Sequence, residues 1–151
     1  MYRDIAAHNI GTITHVGLKT FVDPRNGGGK LNEKTTEDLV KIVNIEGKER
    51  LLYKGFPIDV VFLRASYCDE YGNCTVHREI GPLDVTAMAQ ACKNSGGKVI
   101  VQVEKIVQGG SLDPKLVAIP GIYVDSVVVG SEEENMQCLA CRMTRADRRI
   151  P

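Results

Sequence analysis

Three short runs of β-branched residues, with one helical stretch between the first two, constrain this chain more than any other feature. Ile58-Asp59-Val60-Val61-Phe62-Leu63 is almost continuously apolar. Lys98-Val99-Ile100-Val101-Gln102-Val103-Glu104 and Ile122-Tyr123-Val124-Asp125-Ser126-Val127-Val128-Val129 are of the same kind. Such runs suit strands covered on both faces, as in parallel sheets. Between the first two, Pro82 to Asn94 puts Leu83, Thr86, Ala87, Gln90 and Ala91 near one helical face, widened by Val85, Met88 and Cys92. Ser95-Gly96-Gly97 supplies the glycine that commonly ends a helix. Strand, helix and strand at this spacing predict a βαβ unit with a right-handed crossover, and so an α/β fold.

Composition narrows the function classes. The 151 residues carry 19 Lys+Arg against 19 Asp+Glu, with 43% hydrophobic and 25% charged residues. That balance belongs to globular domains, not disordered ones. With no net charge there is no global basic field, which argues against nucleic acid or an anionic membrane as partner. No apolar run nears the roughly 18 residues of a membrane span. The first fifteen residues lack the apolar segment of a secretory signal. Five cysteines form no disulfide framework, so the expected location is the reducing cytoplasm.

The first third reads differently. Gly17 to Val22 predicts a strand, and Asp23-Pro24-Arg25-Asn26-Gly27-Gly28-Gly29-Lys30 a loop. Val40 to Glu46 and Arg50 to Lys54 flank Gly47-Lys48 and predict a hairpin. Thr35-Thr36-Glu37-Asp38 suits a short helical turn. There is no internal repeat and no linker, so a single domain or part of one is expected.

Chemical motifs are sparse. In Asn26-Gly27-Gly28-Gly29-Lys30, consecutive glycines could turn backbone N–H groups toward an anion, with the lysine as a compact charge, or could form a plain surface loop. The P-loop spacing is absent because Leu31 follows Lys30. If Gly28 and Gly29 take positive φ, alanine there should destabilise the loop. Cys138-Leu139-Ala140-Cys141 is a C-x-x-C, but Cys68 and Cys74 are spaced poorly for a second zinc pair, and no strand-to-helix junction marks a redox motif. Cys92 suits a core position. Asp69-Glu70-Tyr71-Gly72-Asn73 reads as a turn, not a calcium loop. His8, His15 and His77 show no pairing, and no serine-hydrolase elbow is present.

The sequence nevertheless resembles the family I CoA-transferases, in the branch of propionate CoA-transferase and related short-chain acyl enzymes. Gly17 to Arg25 with Gly28-Gly29-Lys30-Leu31-Asn32 carries the likeness first. Phe56-Pro57-Ile58-Asp59-Val60, then Arg64 and the D-x-x-G-N-x-T turn from Asp69 to Thr75, continue it. Ala89 to Asn94, Val101 to Glu104, Gly110 to Pro114 and Pro120 to Asp125 complete it. The resemblance implies a three-layer α/β/α domain with a mainly parallel sheet, present in part. It implies a domain over 1–135, incomplete at its N-terminus, and a divergent tail over 136–151.

The same resemblance implies transfer of CoA from a short-chain acyl-CoA to a carboxylic acid. An active-site glutamate attacks the thioester to give an anhydride and then a glutamyl-CoA thioester, helped by oxyanion donors. CoA thioester is then a substrate, and no bound cofactor or metal is expected. The family's nucleophile lies in an E-N-G motif of the second domain. Ser131-Glu132-Glu133-Glu134-Asn135-Met136 lacks that glycine, so Glu134 is not taken as the nucleophile and no catalytic residue is expected in this chain. The P-Q-G oxyanion segment would precede Met1. By resemblance, Gly27, Gly28, Gly29, Lys30 and Asn32 face the substrate or the second domain. The expected form is a fragment or subunit, inactive alone, that assembles as a homo-oligomer through an exposed sheet edge or with a beta-type CoA-transferase chain. The alternatives are a non-catalytic domain for small-ligand binding or assembly, and a cysteine-based metal or redox protein.

Overall fold

A computed structural model of the chain describes residues 1–79 and 81–131. Elements run in the order α1 (Tyr2–Ala6), β1 (Gly11–Thr14), β2 (Val40–Ile45), β3 (Lys48–Lys54), β4 (Val60–Arg64), β5 (Tyr67–Asp69) and β6 (Cys74–Thr75). There follow α2 (Val85–Asn94), β7 (Lys98–Val103), β8 (Lys105–Val107), β9 (Val117–Ile119) and β10 (Ser126–Val129). The chain divides into two compact units, Met1–Pro57 and a second beginning at Ile58. No helix among the described residues is long and apolar enough to cross a membrane.

In the second unit β4, α2 and β7 form the expected βαβ motif. The sheet order is β10-β7-β4, and both pairings are parallel, with Leu63 opposite Val101 and Val127 opposite the same residue. Val61, Leu63, Val99, Val101 and Val103 point to one face and are buried with Val85, Ala89 and Cys92 of α2. Ala89, Ala91 and Cys92 are small enough for the helix to lie close to the sheet, and all three are fully buried. The polar members of the helical stripe bond sideways: Thr86 Oγ1 donates to Ala118 O and Gln90 Nε2 to the Tyr123 hydroxyl. Gly96, at φ +78°, ends the helix in the left-handed conformation.

The opposite face of that sheet is bare. Phe62 is 76% exposed, and Val60 and Val128, on the same side, are about half exposed. Of three layers, the described residues therefore supply a helix, a sheet and no second helical cover. A smaller mixed sheet, β8-β5-β6-β9, extends the unit, and β4 and β10 are the edges of the parallel one.

Several expectations change on inspection. Residues Gly17 to Val22 form successive turns, not a strand, because Leu18, Thr20 and Asp23 each donate to the carbonyl three residues back and Lys19 takes φ +65°. The strand in this region is Gly11–Thr14, paired antiparallel to β3. Thr35 to Asp38 forms no helical turn. Leu83 does not join α2; it precedes the helix with φ +44° and is exposed. Ile122 and Tyr123 lie in a 3-10 turn, so the last strand starts at Ser126. The expected β2–β3 hairpin forms, with its turn at Glu46-Gly47 and not at Gly47-Lys48, because Lys48 already pairs with Ile45.

Two carboxylates organise the second unit's turns. Asp69 Oδ1 accepts from the Tyr71 and Asn73 amides, Oδ2 from Asn73 Nδ2, and Asn73 Oδ1 accepts from Gly121 N at 3.0 Å. A Cβ on Gly121 would overlap the Tyr71 carbonyl, so glycine permits this approach of two loops. Burial pushes the Asp69 pKa up, but the Asn73 bonds and neighbouring amides outweigh it and hold it below the ordinary value. Asp125 Oδ2 accepts from Val99 N at 2.8 Å, and Lys93 and Lys98 lie at 3.0 and 3.3 Å. The Val99 amide first, then Lys93, lowers the Asp125 pKa to about 2.

Replacing Asn73 with Ala removes the Nδ2 donor to the buried Asp69 carboxylate, which keeps its two backbone amides, and strands the Gly121 amide. Urea unfolding should show a loss of about 1–3 kcal/mol. The Asp125 contribution is fully present above its unfolded pKa of 3.8 and is lost as pH falls toward about 2. The stability difference between wild type and Asp125→Asn, followed by circular dichroism, should therefore shrink across that window and stay constant above it.

Candidate functional site

The glycine-rich loop is built around a carboxylate. Asp23 is fully buried although it sits in a loop of turns. Its Oδ1 accepts from the Arg25 amide and Nε at 3.0 Å, and its Oδ2 from Lys19 N at 2.8 Å and Arg25 Nη2 at 2.9 Å. The Arg25 guanidinium and the Lys19 amide hold the carboxyl well below the usual range, and the same pairing raises Arg25. Arg25 Nη1 also reaches Glu49 on β3 at 3.3 Å. Asp23 thus closes the turn that leads into Gly27, Gly28 and Gly29, all at positive φ.

Three consecutive amides of the loop are already used. Gly28 N donates to Asp23 O, Gly29 N to Phe21 O, and Lys30 N to Gly27 O, at 2.9 to 3.2 Å. Lys30 Nζ pairs with Asp38 at 2.6 Å and holds that carboxyl below its ordinary pKa. Asn32 Oδ1 accepts from the amides of Lys34 and Thr35 and from the Thr35 hydroxyl. These amides therefore do not converge outward on an anion. The structure keeps Gly27, Gly28, Gly29, Lys30 and Asn32 in one folded loop, with Gly27, Lys30 and Asn32 exposed and Gly28 and Gly29 half-buried.

Gly28 and Gly29 instead line an apolar cavity of about 260 Å³. Val22 of the loop, Leu39 and Val40 at the start of β2, and Tyr53 and Phe56 at the end of β3 form its walls. Thr35, Glu37 and Lys54 add the polar lining. The Tyr53 hydroxyl donates to Val16 O at 2.8 Å and leaves its ring to the wall. Sequence reasoning did not find Val22, Leu39, Tyr53 and Phe56 as site residues, because strand pairing and loop closure bring together positions more than thirty residues apart. The available signal was weak: apolar side chains at the ends of polar strands.

The cysteines give a different picture. Cys68 and Cys74 face each other across β5 and β6, both buried, and burial pushes both thiols and that of Cys92 up. Among the described residues, no group of His, Cys, Asp and Glu could hold a metal ion. Cys138, Cys141 and Glu132 to Glu134 lie outside the described residues. His77 packs edge-on against Tyr67 with centroids 5.0 Å apart, and its Nδ1 lies 2.9 Å from Thr75 Oγ1. Arg64–Glu79 and Arg78–Glu104, at 3.3 and 2.8 Å, pair charges near the carboxyl ends of β4 and β7.

Comparison with known proteins gives this arrangement its context. The family model described as Coenzyme A transferase matches residues 5–130. Caffeate CoA-transferase of Acetobacterium woodii is 53% identical over 134 residues, covering 88% of this chain and 25% of its own length. Acetate CoA-transferase YdiF of Escherichia coli K12 is 48% identical over 134 residues, covering 89% of this chain and 25% of its own length. The crystal structure of YdiF from E. coli O157:H7, a thioester complex with CoA, superimposes with a TM-score of 0.82 at 50% identity, over 85% of this chain and 26% of that one. Glutaconate CoA-transferase from Acidaminococcus fermentans shares the fold at 18% identity and a TM-score of 0.70, over 89% of this chain and 44% of that one. The chain spans about a quarter of the length of the caffeate and acetate relatives. With a family model over most of its residues and half of them shared with YdiF, the chain belongs to the coenzyme A transferase family.

Proposed function

We propose that this chain contributes one part of a CoA-transferase site and transfers CoA only together with further polypeptide of the family. That polypeptide brings the nucleophilic glutamate, either as a beta-type partner chain or as a continuation of the same chain. One observation carries the reading: the parallel sheet is covered on one face by α2 and bare on the other, with Phe62 76% exposed. Parallel sheets occur almost always with both faces covered. Relatives four times as long supply sequence enough for a second layer. The lowered carboxylates of Asp23, Asp69 and Asp125 are committed to local donors, which suits supporting roles and not nucleophilic attack.

In this reading the substrates are an acyl-CoA and a carboxylic acid. The relatives' names, acetate and caffeate, bracket a two-carbon acid and an aryl acid. Gly27, Gly28, Gly29, Lys30 and Asn32 form the substrate-facing wall. Gly28 and Gly29 line the cavity, and Lys30 and Asn32 hold the loop's shape. The unpaired edges of β4 and β10 favour self-association or a partner chain, and the reducing cytoplasm suits the free buried thiols.

The test is reconstitution. With acetyl-CoA and radiolabelled propionate, the chain alone should show no turnover, and adding the separately expressed remainder of YdiF should restore it. Turnover by the chain alone would overturn the proposal. The loop makes a second prediction. Gly29 has φ +78° with Val22 Cγ1 3.5 Å from where a Cβ would sit. Gly29→Ala should cost about 1–2 kcal/mol, read from the unfolding midpoint, and lower the reconstituted rate.

A further inference from the structure

The cavity beside the glycine loop has a size and a charge balance that name its occupant. An apolar protein cavity of about 150 Å³ holds a benzene molecule, and pockets for drug-sized ligands begin at about 300 Å³. At about 260 Å³, this one accommodates a single substituted ring or a chain of about six carbons, by the same scale. It is too small for the nucleotide and pantetheine arms of CoA.

Its chemistry points the same way. Val22, Leu39, Tyr53 and Phe56 present carbon, and Gly28 and Gly29 leave space where other residues would place a Cβ. Glu37 and Lys54, the charged side chains of the lining, are of opposite sign, and Met1, which also lines it, pairs its ammonium with Asp4 at 3.4 Å. The amides of Gly28, Gly29 and Lys30 are spent on the Asp23, Phe21 and Gly27 carbonyls. A neutral, apolar ligand end is what remains. The hydrocarbon end of an acyl group meets that description.

We infer that this cavity receives the apolar end of the acyl group, and that Leu39 and Phe56 limit it to about one ring in size. The assignment rests on the CoA-transferase reading. Leu39 is 37% exposed and Phe56 40% exposed, so both can be changed without opening a core.

The test titrates the isotope-labelled 151-residue chain by NMR with toluene, hexanoyl-CoA and CoA itself. Toluene and hexanoyl-CoA should shift the same amides at Gly29, Leu39 and Phe56, and CoA should leave them unmoved. Leu39→Trp, which fills the cavity, should weaken both ligands at least tenfold. Leu39→Ala should admit naphthalene, which the wild type excludes. No saturable toluene shift, or shifts confined to Phe62, Ile100 and Val128, overturns the cavity as a site. Toluene binding without hexanoyl-CoA binding overturns its assignment to the acyl group. If these titrations succeed and reconstitution yields no CoA transfer, the transferase reading fails while the apolar site stands.

Discussion

Water cannot satisfy a parallel sheet of β-branched strands on either face, and the second unit depends on α2 to cover one of them. Val99, Val101 and Val103 are fully buried beneath it, with Leu63 nearly so. Each such side chain is worth about 1.5–3 kcal/mol relative to exposure. The small residues Ala89, Ala91 and Cys92 keep the helix close enough for that burial. The uncovered face leaves Phe62 in water, and this asymmetry is the observation on which the proposed assembly rests.

Where apolar burial is thin, buried carboxylates take over the organisation. In residues 1–57, Ile5 and Leu51 are the buried apolar side chains, yet the loop from Gly17 to Asn32 has a defined shape. Asp23 supplies it, by accepting from the Lys19 amide four residues back and from Arg25 two residues on. Asp69 and Asp125 do similar work in the second unit, tying the 69–73 turn to Gly121 and the start of β10 to β7. An ionised carboxylate with several charge-assisted bonds can afford burial that a single unpaired one could not. The cost is acid sensitivity, because protonation removes the acceptor.

The same bonds shape the glycine loop. Three glycines and a lysine suggest an anion cradle only if their amides point outward, and here those of Gly28, Gly29 and Lys30 bond to the Asp23, Phe21 and Gly27 carbonyls. The glycines matter for a different reason: positive φ and missing Cβ atoms open an apolar cavity against Leu39, Tyr53 and Phe56. A loop that looks suited to phosphate becomes a wall for carbon. Its lysine stabilises the loop through Asp38 and does not stand free.

The βαβ unit, the helix stop at Gly96, the β2–β3 hairpin and the D-x-x-G-N turn were all legible in the sequence, because periodicity and turn chemistry are local. The family likeness was legible too, since its motifs are contiguous strings. The turns at Gly17 to Val22 were not, because the Asp23 carboxylate that folds them acts through space on a segment with strand-like composition. Nor were the cavity walls, which β2, β3 and the loop assemble from distant positions. The sequence by itself determined which segments could be strands, which helix could cover them and which family they belong to. Only the tertiary structure decided that the described residues leave one sheet face bare and that the glycine loop borders apolar space. Both outcomes depend on which side chains and amides meet across long separations, and no local pattern records that.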